Sequence, residues 1–364
     1  MRRGRRRGRG ARGLCAAAAA VLAALVPAGC GDRDGIDAGG EIFGTSLAVY
    51  SLLPGTPTGR DLVDGEKLAI ADAGGVAGRF KVAYVSDTFS GGRGSVAETV
   101  RDAMRDTQAV AAIADLDSET AAVTIPMLNA TGLLHVSPGA TYPGFTAAFP
   151  GAPDGEPERW QPAPQPSFSP LLPSDAAEAE AIARAAQGPV AVEAEAGRFH
   201  AVYADLVRRR LGSALTGSTR RARTIVYAGS DAESARGVVE ALMRESPRAR
   251  ILLSSALLRT DLRDRLPRGA GRRVAFVDAA GPPPADFPAR FAERFARCPG
   301  PYAHVGYGAM RGVMDAIARA GARANVRLEV IRAHRAANPP GEVAARPYFL
   351  VSGTGCDLRY VPVG

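Results

Sequence analysis

Residues 113–141 read IADLDSETAAVTIPMLNATGLLHVSPGAT, and their patterning decides the fold class. An apolar run at 109–113 stops in the polar cluster 115–120, a helix-like segment follows, and a second apolar run at 133–136 stops in Ser-Pro-Gly-Ala-Thr. Strand, helix, strand is one βαβ unit, and ligands of open α/β sheets sit at the carboxyl ends of the strands. Two clusters of small polar residues at two consecutive strand ends therefore make a cradle.

The same alternation extends in both directions. Residues 41–50 read as a first strand, SLLPGTPTG as a turn, 60–72 as a helix, 81–86 as a second strand and 95–106 as an amphipathic helix. Residues 149–170 change character: FPGAPDGEPERWQPAPQP is too rich in proline for a helix or a central strand, so it reads as an enlarged loop with Trp160 as its packed anchor. A second α/β series follows, with helices at 176–186, 199–211 and 234–244 and strands at 189–193, 224–228, 251–255 and 274–277. Helices at 287–296 and 307–320 and a hairpin at 348–352 and 357–361 end the chain.

The Gly-Gly-Val-x-Gly break at 74–78, the strand end VYAG at 226–229, the helix GYGAMRGVMDAIARAG and the paired polar turns resemble the Leu/Ile/Val-binding class of ABC transporter substrate-binding proteins. The resemblance implies an α/β fold of two Rossmann-like lobes, the type I periplasmic binding protein, with a hinge and an interlobe cleft. It places lobe 1 at 43–168 plus 278–335 and lobe 2 at 169–277 plus 336–364. In that family a serine after one strand and the turn after the next grip the polar head of the ligand. Those positions fall on Ser118, Gly139 and Thr141, with Ala140 and Thr58 as wall and Phe199 where the family often carries an aromatic. Helix-start N–H groups of Glu119 and Thr120 would face an anion. The acid that meets an ammonium from the second lobe is missing from Ser254-Ser255-Ala256, and Asp231 stands as its substitute.

Composition bounds the alternatives. With 364 residues and 46% hydrophobic content the chain can fill two lobes. The formal charge is +8, but Arg2, Arg3, Arg5, Arg6, Arg7, Arg9 and Arg12 supply seven of these charges and leave about +1 for the rest, which argues against a nucleic-acid partner. That arginine block precedes an apolar run at 14–26 too short to span a bilayer, so 1–30 reads as a signal peptide. The run ends Val-Pro-Ala-Gly-Cys, which resembles a lipobox with Cys30 as the lipidated residue, and 31–42 would be a tether. The expected location is the outer face of the cell membrane. Cys298 and Cys356 remain as one disulfide or two buried thiols.

The expected partners are a small polar ligand and an ABC permease, with the protein itself a monomer and no metal or cofactor. Two other readings stand beside a transport receptor. One is a ligand-sensing module of the same fold. The other is a nucleotide-dependent enzyme, suggested by Gly92-x-Gly94-x-x-Ala97, a partial dinucleotide fingerprint. His135, His200, His304 and His334 lack metal-ligand spacing and read as packed or surface residues.

Overall fold

The computed structural model describes residues 41–89 and 93–364. The signal segment, Cys30, most of the tether and Gly92 lie outside the described residues.

Buried apolar runs and Gly/Pro punctuation set up the first half of the chain as alternating strands and helices. These are β1 (Ser46–Pro54), α1 (Pro57–Asp72), β2 (Val76–Ala77), β3 (Phe80–Phe89), α2 (Arg93–Arg105), β4 (Ala109–Ala114), α3 (Ser118–Ala130), β5 (Leu134–Ser137) and β6 (Phe168–Pro170). They form one sheet in the order β2-β3-β1-β4-β5-β6, parallel except for the short edge strand β2. Chain order reverses between β1 and β4. The crevice beyond these strand ends is where such sheets bind ligands.

The second half runs α4 (Asp175–Ala185), β7 (Val190–Ala194), α5 (Arg198–Leu211), β8 (Thr224–Ala228), α6 (Ala232–Glu245), β9 (Arg250–Leu253), α7 (Ser255–Leu258), α8 (Leu262–Arg265) and β10 (Val274–Asp278). Then come α9 (Phe287–Phe295), α10 (Ala303–Ala320), α11 (Arg327–Ala337), α12 (Pro340–Ala344), β11 (Phe349–Thr354) and β12 (Asp357–Pro362). The second sheet has the order β12-β11-β10-β9-β8-β7, with the closing hairpin antiparallel. Helices α9, α10 and α11 pack against elements of the first sheet's lobe. The chain therefore passes from one sheet's lobe to the other after β6, after β10 and again between α11 and β11.

Both faces of the first sheet are covered, as a parallel sheet requires. Leu47 and Val49 face a core shared with Leu62, Met310 and Val313, while Ala48 and Tyr50 face one shared with Val96, Val100 and Leu128. Helices α1 and α10 cross at glycines: a Cβ on Gly65 would lie 1.9 Å from the Ala303 carbonyl oxygen, and one on Gly306 would lie 2.2 Å from that of Leu62. Only backbone can pass so close to backbone.

Two features differ from the sequence expectation, and the proline-rich loop agrees with it. Strand β1 runs through Ser51 to Pro54, because these residues pair with Ser86 to Phe89 of β3; the turn is confined to the two residues after Pro54. Helix α11 was not anticipated. It is anchored by the buried Arg327, which donates to the carbonyls of Ala109, Thr131 and Asp106 at 2.8, 3.0 and 3.1 Å. The proline-rich loop is held by Trp160, packed edge-on to Phe145 at 5.2 Å, and by the buried Glu156.

A disulfide joins Cys298, in the connection between α9 and α10, to Cys356 at the tip of the β11–β12 hairpin, with Cα atoms 5.8 Å apart. No helix among the described residues is long and apolar enough to cross a membrane.

Candidate functional site

The first wall of the site begins at the end of β4. Asp115 has φ of +73°, a left-handed conformation that aspartate tolerates better than most residues. Its buried carboxylate accepts from the Thr124 hydroxyl of α3 at 2.7 Å and lies 2.8 Å from His135 Nε2 of β5. One side chain thus pins two strands and the intervening helix together beneath the cradle. Asp117 then caps α3, accepting from the Thr120 N–H at 2.7 Å.

Ser118 ties the two strand-end turns together: its Oγ accepts from the N–H groups of Thr141 at 3.3 Å and Tyr142 at 3.1 Å. Its own hydroxyl proton remains available to a ligand. Gly139 makes the juxtaposition possible, because a Cβ there would stand 2.4 Å from the Leu116 carbonyl oxygen.

These turns open onto a cleft. Asp117, Ser118, Glu119 and Thr141 line it from the first lobe. Facing them are Asp175, Phe199, His200, Tyr203, Gly229, Ser230, Ser254, Ser255, Ala256 and Arg259. Both sheets therefore present their carboxyl ends to the same space, since these segments follow β4, β5, β7, β8 and β9.

The second wall is braced from behind by a buried polar network. Glu178 accepts from the Tyr203 hydroxyl at 2.5 Å, from the Ser255 hydroxyl at 2.5 Å and from the Ser255 N–H at 2.9 Å. Arg259 Nη1 donates to Ser255 Oγ at 3.3 Å and to the Tyr302 hydroxyl at 3.4 Å, and Tyr302 donates to Asp278. Burial alone would pull the Arg259 guanidinium down, but Tyr302, Asp278 and Glu178 outweigh it and hold it above its ordinary value. Burial pushes Glu178 up to about 7, with the neighbouring Asp175 adding to the rise and Ser255 and Tyr203 opposing it. Burial likewise raises Asp117 and Asp175; Thr120 opposes the first shift, and Thr141, Arg259 and His200 oppose the second.

Of the residues expected from sequence, Ser118, Glu119, Thr141 and Phe199 line the cleft. The other five do not. Thr58 is buried in the first turn of α1, 5% exposed. The N–H and hydroxyl of Thr120 both turn back to Asp117. Gly139 packs on the Leu116 backbone, and Ala140 opens on a separate groove beside the proline-rich loop. Asp231 is the exposed cap of α6, accepting from Ser234 N–H at 2.7 Å.

No acid follows β9, but Asp175 at the start of α4 lines the cleft. Asp117 and the Ser254-Ser255 pair were visible as strand-end residues, but Asp175, Tyr203 and Arg259 carry no local signal. Their elements converge only through the packing of the second lobe.

No family model matches the chain, and no curated protein matches it by sequence. Its fold does have solved counterparts. The leucine-binding protein LivK from Thermotoga maritima aligns with a TM-score of 0.70 and 15% identity over 87% of this chain and 99% of that one. An ABC transporter substrate-binding protein from Desulfitobacterium hafniense, solved with Leu, aligns with a TM-score of 0.68 and 12% identity over 87% of this chain and 100% of its own. A solute-binding protein from R. palustris, solved with benzoate, aligns with a TM-score of 0.67 and 16% identity over 87% and 96%. The chain has the type I periplasmic-binding fold, two α/β lobes facing each other across a cleft.

Proposed function

We propose that this protein is an extracytoplasmic receptor that captures a small polar molecule between its lobes and delivers it to an ABC permease. The observation that carries the reading is the cleft itself. Strand-end residues of both sheets converge on it, Ser118 and Thr141 on one side and Ser230, Ser255 and Arg259 on the other. The solved counterparts that hold Leu or benzoate support the same reading.

In this reading residues 43–168 plus 278–335 move as one body and 169–277 plus 336–364 as the other. A ligand that touches both walls stabilises the closed state by its differential affinity, and the closed face is what the permease would recognise. The protein binds its ligand without transforming it and acts as a monomer.

The N-terminal segment would export the chain, and acylation of Cys30 would hold it at the outer face of the membrane, at about 0.8 kcal/mol per buried methylene. Mass spectrometry of the membrane-extracted protein should find an acylated N-terminal cysteine, absent from Cys30→Ser. For the receptor reading, calorimetry with a panel of small polar molecules should give saturable heat for at least one. Small-angle scattering should register compaction on binding. A panel without heat or compaction would reject binding by closure.

A further inference from the structure

Arg259 stands in the second wall with most of its hydrogen-bonding capacity unspent. It is 4% exposed, yet it lines the cleft. Its hydrogen bonds among the described residues run from Nη1 to two hydroxyls, Ser255 at 3.3 Å and Tyr302 at 3.4 Å. Nε is buried without a partner, and Nη2 makes no hydrogen bond. The acids behind it act through those same hydroxyls, since Ser255 donates to Glu178 at 2.5 Å and Tyr302 donates to Asp278. No carboxylate of the described residues is within salt-bridge distance of the guanidinium itself. A buried charge left in that condition is costly until a partner meets it. The Nε and Nη2 edge of a guanidinium is a planar fork that matches the two oxygens of a carboxylate.

Two acids of the cleft lie within the field of Arg259, and both are engaged elsewhere. Asp117 accepts from the Thr120 N–H at 2.7 Å and from the Thr120 hydroxyl at 3.2 Å. Asp175 has the Thr141 side chain beside its carboxyl, and its N–H donates to the Thr141 carbonyl at 2.8 Å. Their charges oppose a doubly charged oxyanion more than a singly charged one. After β9, where the family resemblance implies an acid for an ammonium, this chain brings a guanidinium to the cleft.

Resting on the receptor reading, we infer that the second wall holds a carboxylate subsite at Arg259, and that the cleft selects a small monocarboxylate lacking an ammonium group. The carboxylate lies along the Nε and Nη2 edge. Ser118, whose Oγ accepts two N–H groups and keeps its own proton to donate, serves the ligand from the opposite wall.

The test is calorimetric titration of the purified protein with propionate, benzoate, inorganic phosphate, alanine and propylammonium. Propionate or benzoate should bind tenfold or more tighter than each of the other three. Arg259→Lys, which keeps the charge and loses the fork, should lower that affinity at least tenfold while keeping a cooperative thermal transition. Wild-type affinity in that variant overturns the subsite. Should the variant not fold, the wild-type protein decides the point by NMR: the tighter carboxylate should shift the Arg259 Nε–H resonance, and an unmoved resonance overturns the subsite. Anything less than a tenfold preference for a carboxylate overturns the ligand assignment and leaves the receptor reading standing. Absence of heat and compaction with all five probes overturns the two together.

Discussion

On the first wall of the cleft, Asp117, Ser118 and Thr141 come from one βαβ unit within 25 residues of sequence and are locked by backbone hydrogen bonds to Ser118 Oγ. On the second, Asp175, Tyr203, Ser230 and the Ser255–Leu258 helix with Arg259 at its C-cap come from separate stretches of chain, and the buried Glu178 joins Tyr203 to Ser255. Above the Asp115–Thr124–His135 brace the first wall is contiguous chain, and its cleft-facing side chains tolerate change. A wall made of a buried polar network does not, because each lost partner strands another polar group away from water.

The strongest perturbation of this contrast acts on the link between the walls. Cys298 neighbours Arg297, which pairs with Asp61 and with Asp64 at 2.8 Å on α1, whereas Cys356 tips the hairpin of the second sheet. The disulfide encloses a sequence separation of 58 residues, so replacing both cysteines with serine should cost about 4 kcal/mol by chain-entropy arguments. Chemical denaturation reads that loss, and scattering without ligand should show a larger radius of gyration. An unchanged radius would mean the bridge does not restrain the lobes.

Next in size is Glu178→Ala, which orphans the Tyr203 hydroxyl and the Ser255 N–H; about 3 kcal/mol is expected in denaturation. The same residue predicts a pH signature. Its native pKa, about 7, lies above the ordinary 4.5, so the native state holds this proton more tightly than the unfolded chain. Its contribution is complete below about pH 4.5 and is lost as pH rises through 7, on the order of 3 kcal/mol. Burial raises Glu66 to about 8 and acts in the same direction, so the difference between the wild type and Glu178→Gln isolates Glu178. A difference that stays constant from pH 4.5 to 7 would contradict the assignment.

On the first wall, Gly139→Ala should cost about 2 kcal/mol, because the added carbon meets backbone rather than a movable side chain. The smallest effect on stability is expected for Ser118→Ala, about 1 kcal/mol from two long hydrogen bonds, although it removes a hydroxyl from the cleft and should weaken ligand binding severalfold. If Ser118→Ala proved more damaging than Glu178→Ala, the contrast between the walls would be reversed.

Much of the architecture was legible in the chain. The runs at 109–113, 133–136, 224–228 and 251–253 are apolar enough to be buried strands in any context, and the glycines at 65 and 306 mark close helix contact once the helices are paired. The end of β1 was misread, because Leu52-Leu53-Pro54 before Gly55 looks like a turn until β3 supplies its partners. Helix α11 lacks a local start signal, because Val326 stands at its N-cap and makes no capping bond. Its stability comes from Arg327 reaching three carbonyls in the first lobe.

The amino-acid sequence by itself determined the βαβ series and the polar turn that carries Ser118 and Thr141, because strand periodicity and turn chemistry act over a few residues. Only tertiary structure decided the facing wall. Asp175 and Arg259 are 84 positions apart, and the field that links them exists only after α4 and α7 have packed on the second sheet. Asp231 and the Thr120 N–H, by contrast, are engaged locally, in caps that span three residues at the starts of α6 and α3.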